Sequence, residues 1–282
     1  MPENLRVLKG RIRTAKNIAQ LAKTLEMVSV SKIRRVRGLA ETVRPYAERI
    51  TSLTGSTLRS LDPDLRDHPY LKAGKNPRRL LLAIGPDKGL CGPLTGNLVR
   101  KLADSMDAET LLITVGRRMG GPGARMAGDN LIASFPMGAR LPQYSLVFDL
   151  VHVINEHILS GAASTLDIVY GRFVSFFTQT PVLEHVLPLD AAAVTGGGGL
   201  AEFEPGGAPL LAALLPHFLE VRLFNAIVQA FSAEHAARMV AMQNAKTNAL
   251  EIADSFTLLY NKTRQERITS EILDLANKGK KK

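Results

Sequence analysis

Tryptophan is absent from this chain of 282 residues, aromatic residues make up 5% of it, and Cys91 is its single cysteine. One thiol cannot form an internal disulfide, which excludes a disulfide-stapled secreted domain and suits a reducing compartment. No uncharged apolar run approaches about 18 residues, the length that predicts a membrane-spanning helix. The chain starts directly in a heptad pattern, so we expect no secretory or transit peptide.

The spacings of common catalytic and metal sites are missing as well. The 6 histidines are scattered, and no Ser-His-Asp or Cys-His arrangement can be assembled around them. His152 and Glu156 stand four residues apart in a predicted helix, but no third metal ligand accompanies them. The sequence therefore predicts no catalytic residue, no metal site and no cofactor.

One loop has the position of a phosphate site without its pattern. Residues 85–93 read Gly-Pro-Asp-Lys-Gly-Leu-Cys-Gly-Pro and follow a predicted strand, where α/β proteins bind phosphates. The loop matches neither the Walker spacing nor the dinucleotide-binding glycine pattern. A tight turn is the favoured interpretation, and a small-ligand α/β enzyme is an alternative.

Proline and glycine are absent from residues 234–278, which predicts one long helix. Apolar residues recur along it in alternating steps of three and four and so form one narrow stripe. The predicted stripe contains Met242, Ala245, Ala249, Ile252, Phe256 and Leu259, with Thr263 and Glu266 as polar members. A stripe this narrow favours one partner helix over a broad core.

That partner helix is predicted at the other end of the chain. The same alternation runs through residues 5–50, and twelve of its fourteen positions are apolar, which is too regular for chance. We therefore expect the two ends to pair as an antiparallel coiled coil, with the middle folded separately. The fourteen positions are Leu5, Leu8, Ile12, Ala15, Ala19, Ala22, Glu26, Ser29, Ile33, Val36, Ala40, Val43, Ala47 and Ile50.

Positive charge is concentrated in the first helix. Residues 1–50 contain 12 Lys and Arg against 4 Asp and Glu, a net charge of +8 out of +10 for the whole chain. A basic rod can face nucleic acid, an anionic membrane surface or an acidic protein surface. The nucleic-acid alternative has only charge in its favour, because no aromatic interleaving, zinc-finger spacing or helix-turn-helix pattern accompanies it.

The middle of the chain alternates predicted strands and helices, which indicates an α/β domain with a largely parallel sheet. Between the second and third strands, the Gly- and Arg-rich residues 116–128 are expected to form a mobile loop. Pro216 is expected to kink or restart the last helix. Strands are predicted at 80–84, 110–115, 131–135 and 167–177, a short edge strand at 182–189, and helices at 96–106 and 145–160.

The predicted domain division has five parts. It comprises an N-terminal coiled-coil helix at 1–57, a linker at 58–79, a central Rossmann-like α/β domain at 80–190, a Gly-rich loop at 191–208, and a C-terminal coiled-coil helix with a basic tail at 209–282.

Several stretches resemble one known family. Residues 234–245, Glu-His-Ala-Ala-Arg-Met-Val-Ala-Met-Gln-Asn-Ala, and residues 259–272, Leu-Tyr-Asn-Lys-Thr-Arg-Gln-Glu-Arg-Ile-Thr-Ser-Glu-Ile, closely resemble the C-terminal signature of the gamma subunit of F-type ATP synthases. Residues 11–20 and 27–35 are similar to the opening of that family. The turn at 89–92 and Gln-Thr-Pro at 179–181 match it in the middle.

The resemblance implies a non-catalytic central rotor shaft that couples ion-driven rotation of the membrane c-ring to conformational cycling of the catalytic beta subunits. It implies, as partners, the alpha and beta subunits of the catalytic hexamer, the epsilon subunit and the c-ring, with one copy of this chain per complex. It also implies a peripheral location on the cytoplasmic face of a bacterial inner membrane. Nucleic acid is not an expected partner.

The resemblance also implies roles for individual residues. Arg238 is expected to have a structural or shaft-contact role. The expected beta-subunit contacts are Arg264, Gln265 and Thr269 on the last helix, with Lys23, Leu25 and Met27 opposite them on the first; the expected c-ring contacts are Phe203, Glu204 and Pro205. Without the resemblance, the alternative function is a basic coiled-coil adaptor that binds nucleic acid or acidic protein surfaces.

Overall fold

A computed structural model describes residues 5–60, 68–72, 74, 76–138, 140–189 and 207–279. The chain divides into two compact units, which we call the coil unit (residues 1–28 and 239–282) and the sheet unit (residues 29–238). The elements are α1 (Leu5–Ser60), β1 (Arg79–Ile84), α2 (Leu94–Ser105), β2 (Leu111–Val115), α3 (Arg117–Ala127), β3 (Leu131–Phe135), α4 (Ser145–Ile158), β4 (Thr165–Phe173), β5 (Gln179–Leu187) and α5 (Gly207–Gly279).

The sheet unit contains one five-stranded sheet in the order β3-β2-β1-β4-β5. β1 pairs in parallel with β2 and β4, and β2 pairs in parallel with β3. β5 pairs antiparallel to β4 and forms one edge. The predicted α/β domain with a largely parallel sheet is therefore confirmed.

Helices cover both faces of this sheet. The central strands β1 and β2 are buried along nearly their whole length, which is why they read as unbroken apolar runs in the sequence. On one face, α2 and α3 pack through Leu98, Leu102 and Met119 against Leu81 and Leu112. On the other face, α4 and the first part of α5 build the larger core together with α1.

The predicted mobile loop at 116–128 is wrong, because residues 117–127 form helix α3. Its glycines serve close packing. A Cβ on Gly123 would lie 2.8 Å from the Thr114 methyl carbon, so the missing side chain lets α3 approach β2. Gly116 makes the preceding turn at φ 94°, where a Cβ would lie 2.0 Å from the Gly85 carbonyl oxygen. Glycine at such positions reports close backbone approach.

In the coil unit, α1 and α5 run antiparallel. The Lys246 ammonium lies 2.8 Å from a Glu26 carboxylate oxygen. The Arg11 guanidinium carbon lies 5.4 Å from the centre of the Phe256 ring. The contact earlier in α1, at Arg11, is therefore made with the later residue of α5, Phe256. This order is the one that the predicted antiparallel coiled coil requires.

The predicted stripe of α1 is confirmed, since all fourteen of its positions are buried or half-buried. On α5 the stripe differs in phase. Ile252 and Leu259 are 50% and 39% exposed, whereas Ala253, which lies outside the predicted stripe, is buried; Met242, Ala249 and Thr263 are buried as predicted. After Ala249 the apolar stripe can continue through Ile252 or through Ala253, since both lie three or four residues from Ala249 and from Phe256. The structure places Ala253 in the seam, because its small side chain lets the two helices approach closely.

Two predicted boundaries also change. α1 continues to Ser60, so Leu58 is a fully buried helical residue and does not begin a linker. α5 continues through Pro216, which neither restarts nor ends it. Most of the predicted Gly-rich loop at 191–208 lies outside the described residues. The division into five domains stays a prediction.

One helical stretch, Pro209–Leu273, is long and apolar enough to cross a membrane by length and composition. Most of its apolar window, 61%, is buried inside the structure. A helix of a protein core passes the same test, so this stretch is weak evidence for a membrane span. The stretch does not appear as an uncharged apolar run in the sequence, because charged residues interrupt it.

Gly116→Ala should destabilise the protein by more than about 2 kcal/mol, because the new methyl group meets backbone at a left-handed φ. The measurement is the free energy of unfolding in urea. Gly96→Ala in α2 is the matched control: nothing lies within 4 Å of its Cβ position, so it should stabilise the helix by about 0.5–1 kcal/mol. Equal effects of the two changes would contradict the packing role of Gly116.

Candidate functional site

The loop between β1 and α2, residues 85–93, is the first candidate site. It follows the carboxyl end of β1, the strand that pairs on one side with β2 and on the other with β4. Parallel sheets bind ligands at this kind of switch point. The loop therefore has the location of a ligand site, and its contacts decide what it does.

Asp87 joins three loops at this edge of the sheet. One of its carboxylate oxygens accepts hydrogen bonds from the backbone N–H of Arg117, at 3.0 Å, and of Met137, at 2.9 Å. The other oxygen accepts the N–H of Gly138 at 2.9 Å. Three backbone donors around one anion resemble an anion-binding nest, and here the anion is the chain's own carboxylate.

Arg238 of α5 grips the same loop from the other side. Its guanidinium group donates to the carbonyl oxygens of Lys88, at 2.9 Å, and Gly89, at 3.2 Å. It also pairs with Glu234 at 2.6 Å, and the two side chains are only 7% and 5% exposed. The second Glu234 oxygen accepts the Asp87 N–H at 3.3 Å. We call the group Asp87, Glu234 and Arg238 the clamp.

His235 lies within the clamp as a neutral side chain. Burial, and after it the nearby charges of Arg238, Lys32 and Lys88, together lower the pKa of its imidazole to about 3. Its Nδ1 atom lies 3.2 Å from Arg238, whose N–H it accepts in the neutral form. Its ring packs 4.4 Å from that of Phe231, measured between centroids.

The clamp connects one edge of the sheet to α5. It ties loops that follow β1, β2 and β3 to one turn of α5, through the buried pair Glu234 and Arg238 and the half-buried Asp87. Arg238, expected to have a structural or shaft-contact role, lies at its centre. Sequence reasoning missed Asp87 and Glu234; the Pro-Asp-Lys turn and the i, i+4 spacing of Glu234 and Arg238 were the available signals.

The same loop holds one exposed apolar side chain in an unusual backbone conformation. Leu90 has φ 64°, and 63% of its side chain is exposed. A leucine in this region of φ is strained, and such residues persist where the surroundings hold them. The neighbouring Cys91 is buried, with its sulfur 3.4 Å from the Thr95 hydroxyl oxygen.

The surface of the coil unit is the second candidate site. Among the predicted contact residues, Lys23, Arg264, Gln265 and Thr269 are exposed, Met27 is 63% exposed, and Leu25 is half-buried. The Thr269 hydroxyl donates to the Gln265 carbonyl oxygen at 2.9 Å.

The two predicted groups of contact residues do not lie opposite each other. Lys23, Leu25 and Met27 surround Glu26, which pairs with Lys246. Arg264 follows Lys246 by eighteen residues (264 − 246), about 27 Å along a helix. The expectation that the groups face each other is wrong, because in an antiparallel pair the start of α1 lies beside the far end of α5.

Large apolar side chains remain exposed along this coil. A two-helix pair has one seam and cannot bury a second stripe, so residues outside the seam stay in contact with water. An apolar surface of this extent, interleaved with cations, is typical of a protein contact. The exposed residues are Val7, Ile18, Leu21, Met27, Val28, Leu250, Ile252, Leu258, Leu259, Ile268, Ile272 and Leu273.

Two further expectations concern other parts of the chain. Phe203, Glu204 and Pro205, the expected c-ring contacts, lie outside the described residues. Within the described ranges, no group of three or more His, Cys, Asp or Glu side chains is arranged to hold a metal ion. His152 and Glu156 form an exposed pair at 3.5 Å.

Known proteins match this chain over nearly its whole length. A family model described as ATP synthase matches residues 4–277. The ATP synthase gamma chain of Dehalococcoides mccartyi strain CBDB1 is 36% identical over 278 residues, which covers 96% of each chain. The ATP synthase gamma chain of Roseiflexus castenholzii is 32% identical over 279 residues, with 96% of each chain covered.

Solved structures share the fold. A chain in the Euglena gracilis mitochondrial ATP synthase, in a structure of OSCP, F1 and c-ring, has a TM-score of 0.68 at 21% identity and covers 98% of this chain and 93% of that one. A chain in the central stalk and c-ring structure of the Tetrahymena thermophila enzyme has a TM-score of 0.60 at 22% identity, with 80% and 99% covered.

Arg238→Ala should lower the free energy of unfolding by about 3–5 kcal/mol, because it leaves the buried Glu234 carboxylate without its partner. Urea denaturation measures the loss. Arg267→Ala is the matched control, since Arg267 forms an ion pair of the same i, i+4 type with Glu271, with side chains 67% and 62% exposed. The control should change stability by less than about 0.5 kcal/mol. Similar losses in both variants would refute the clamp.

His235 should make stability depend on pH. Its pKa is lowered in the folded protein, so the unfolded chain binds more protons between pH 6.5 and about 3. Stability is then complete above pH 6.5 and falls toward pH 3, by at most about 5 kcal/mol from this group. His235→Asn keeps an acceptor near Arg238 and cannot be protonated. Urea denaturation across this range should give a shallower slope for the variant; equal slopes would rule out His235 as the cause.

Proposed function

The chain belongs to the gamma-chain family of ATP synthases, and we propose that it acts as the central rotor shaft of such an enzyme. In this role it couples ion-driven rotation of a membrane c-ring to conformational cycling of the catalytic subunits in ATP synthesis or hydrolysis. The observation that supports the shaft role best is the coil unit. Two helices that expose both apolar and basic side chains along their length present a surface suited to contact with surrounding protein subunits.

The shaft acts through differential contact. A ligand shifts a conformational equilibrium only by as much as its contact free energy differs between the states. The surface of the coil unit is asymmetric, with α1 strongly basic and α5 carrying most of the exposed aliphatic side chains. Each orientation of such a shaft therefore favours a different conformation of each surrounding subunit, so rotation changes their populations in sequence.

The proposed partners follow from this role. The coil unit contacts the alpha and beta subunits of the catalytic hexamer, and the sheet unit contacts the c-ring and the epsilon subunit. One copy of this chain serves one complex, which is peripheral on the cytoplasmic face of a bacterial inner membrane. Phe203, Glu204 and Pro205 are the proposed c-ring contacts.

We also propose that the chain itself is not catalytic. At the carboxyl edge of its sheet, the charged side chains Asp87, Glu234 and Arg238 are engaged with each other and with backbone groups. A catalytic role would require such groups to be available to a substrate. Asp87, Glu234 and Arg238 instead transmit torque between the sheet and α5.

The proposed contacts with the beta subunits form two levels on the coil. Lys23, Leu25 and Met27 form one level, near Lys246. Arg264, Gln265 and Thr269 form the other, about 27 Å further along α5. The cation of Arg264 and the amide of Gln265 are exposed on one helix turn, where they can donate to acidic and polar groups of a partner.

Reconstitution tests this function. The chain is mixed with cognate alpha and beta subunits, and the purified complex is assayed for ATP hydrolysis. We expect a stable complex, whose activity falls on the order of tenfold, about 1.4 kcal/mol, for Arg264→Ala with Gln265→Ala.

The control double variant is Arg267→Ala with Glu271→Ala, which removes another exposed pair of the same helix. We expect it to assemble and to retain activity near that of the unmodified complex. Failure of the unmodified chain to assemble with cognate subunits would overturn the shaft role. Assembly with equal activities in both variants would overturn only the contact residues.

A further inference from the structure

The helices α1 and α5 each contain one proline in their interior, Pro45 and Pro216. Proline has no N–H, so the carbonyl groups of Glu41 and Ala212 lose their usual helical donors, which weakens each helix at that point. The residues that follow the two prolines, Tyr46 and His217, contact each other. The two weakened points therefore lie side by side in the sheet unit.

The stripe of α1 is also less deeply buried at this level than just before and just after it. Along the stripe of α1, Ile33 and Val36 are fully buried, and Thr54 is fully buried again beyond it. The positions between them, 40, 43, 47 and 50, are only half-buried. A groove of about 480 Å³ opens beside them, lined by Ala40, Val43 and Ala47 of α1 and by Val221, Asn225 and Val228 of α5.

Polar contacts accompany the half-buried apolar residues at this level. The Tyr46 hydroxyl is hydrogen-bonded to Nε2 of His217, and the two rings meet edge to face with centroids 5.6 Å apart. Nδ1 of His217 lies 2.9 Å from a Glu220 carboxylate oxygen, which also accepts the Tyr144 hydroxyl at 3.0 Å. A neutral imidazole satisfies both partners when Nδ1 carries the proton and Tyr46 donates to Nε2.

We propose that Pro45 and Pro216 form a hinge in the paired helices α1 and α5, held closed by the latch Tyr46–His217–Glu220. Prolines weaken both helices at one level, the groove leaves room for movement, and a directional hydrogen bond joins the two helices across that level. Sharp bends of helices occur at prolines. Only one hydrogen bond of the latch, from Tyr46 to His217, joins the two helices, and a single bond of this kind is weak enough to open and close thermally.

In the shaft, this hinge allows α1 and α5 to bend within the sheet unit when torque is applied. That consequence rests on the proposed function, because it concerns how torque enters α1 and α5. The hinge itself is a property of the chain alone. Its test therefore uses the full chain first by itself and then in the reconstituted complex.

Spin labels at Arg49 and Ala213 report the separation of the two helices one turn from the latch. Both positions are exposed, and Cys91→Ser removes the native thiol. Pulsed electron spin resonance then gives the distribution of distances between the labels. We expect the width of this distribution to increase at least twofold for Tyr46→Phe, which removes one hydroxyl from a half-exposed residue and keeps the ring.

Two further variants complete the test. Pro45→Ala with Pro216→Ala restores two helical donors and should narrow the distribution below that of the unmodified chain. Tyr260→Phe is the control, because Tyr260 is a half-buried residue of α5 that lies in the coil unit, more than forty residues beyond His217, and it should leave the width unchanged. Equal widths in all four chains, or broadening by the control as well, would overturn the hinge. Loss of assembly with alpha and beta subunits would instead count against the shaft role and leave the label distances to decide the hinge.

Discussion

The buried ion pair between Arg238 and Glu234 fixes the carboxyl edge of the sheet to one turn of α5, a helix whose earlier turns pack into the larger core. Both side chains are almost fully buried, so neither charge is stable without the other. Arg238 also holds two carbonyl groups of the loop after β1, and Glu234 reaches the Asp87 N–H. Asp87 in turn connects the loops after β2 and β3. One turn of a helix is thereby joined to the ends of three adjacent strands.

This arrangement explains why the switch point of a parallel sheet has a different use here. In many α/β proteins, the groups at this edge are free to bind a phosphate. Here the backbone donors at the edge are directed at Asp87, and the cation at the edge is directed at Glu234. The edge therefore has the geometry of a ligand site, but its donors and its cation bind residues of the chain and so hold the loops and α5 together.

The parts of this structure that follow from periodicity were predictable from the sequence. The stripe of α1, the antiparallel pairing and the strands of the sheet all repeat a local rule over many residues. α3 was not predictable in this way, because glycines such as Gly123 signal mobility and close packing equally well, and only the neighbour Thr114 distinguishes them. The clamp was missed because Asp87 lies far along the chain from Glu234 and Arg238, and no local pattern connects them. The level of Arg264 relative to Lys23 depends on the register of the helix pair, which apolar spacing leaves open.

The separation of the two predicted contact groups along the coil has a consequence for its axis. A rod gripped at a single level can tilt about that point, and its far end then sweeps a cone. A rod gripped at two levels, about 27 Å apart on this coil, has its direction defined as well as its position. Lys23 with its neighbours and Arg264 with its neighbours would then act as an upper and a lower bearing. Two such bearings would block wobble, so a push that acts off the axis at either level could only turn the coil.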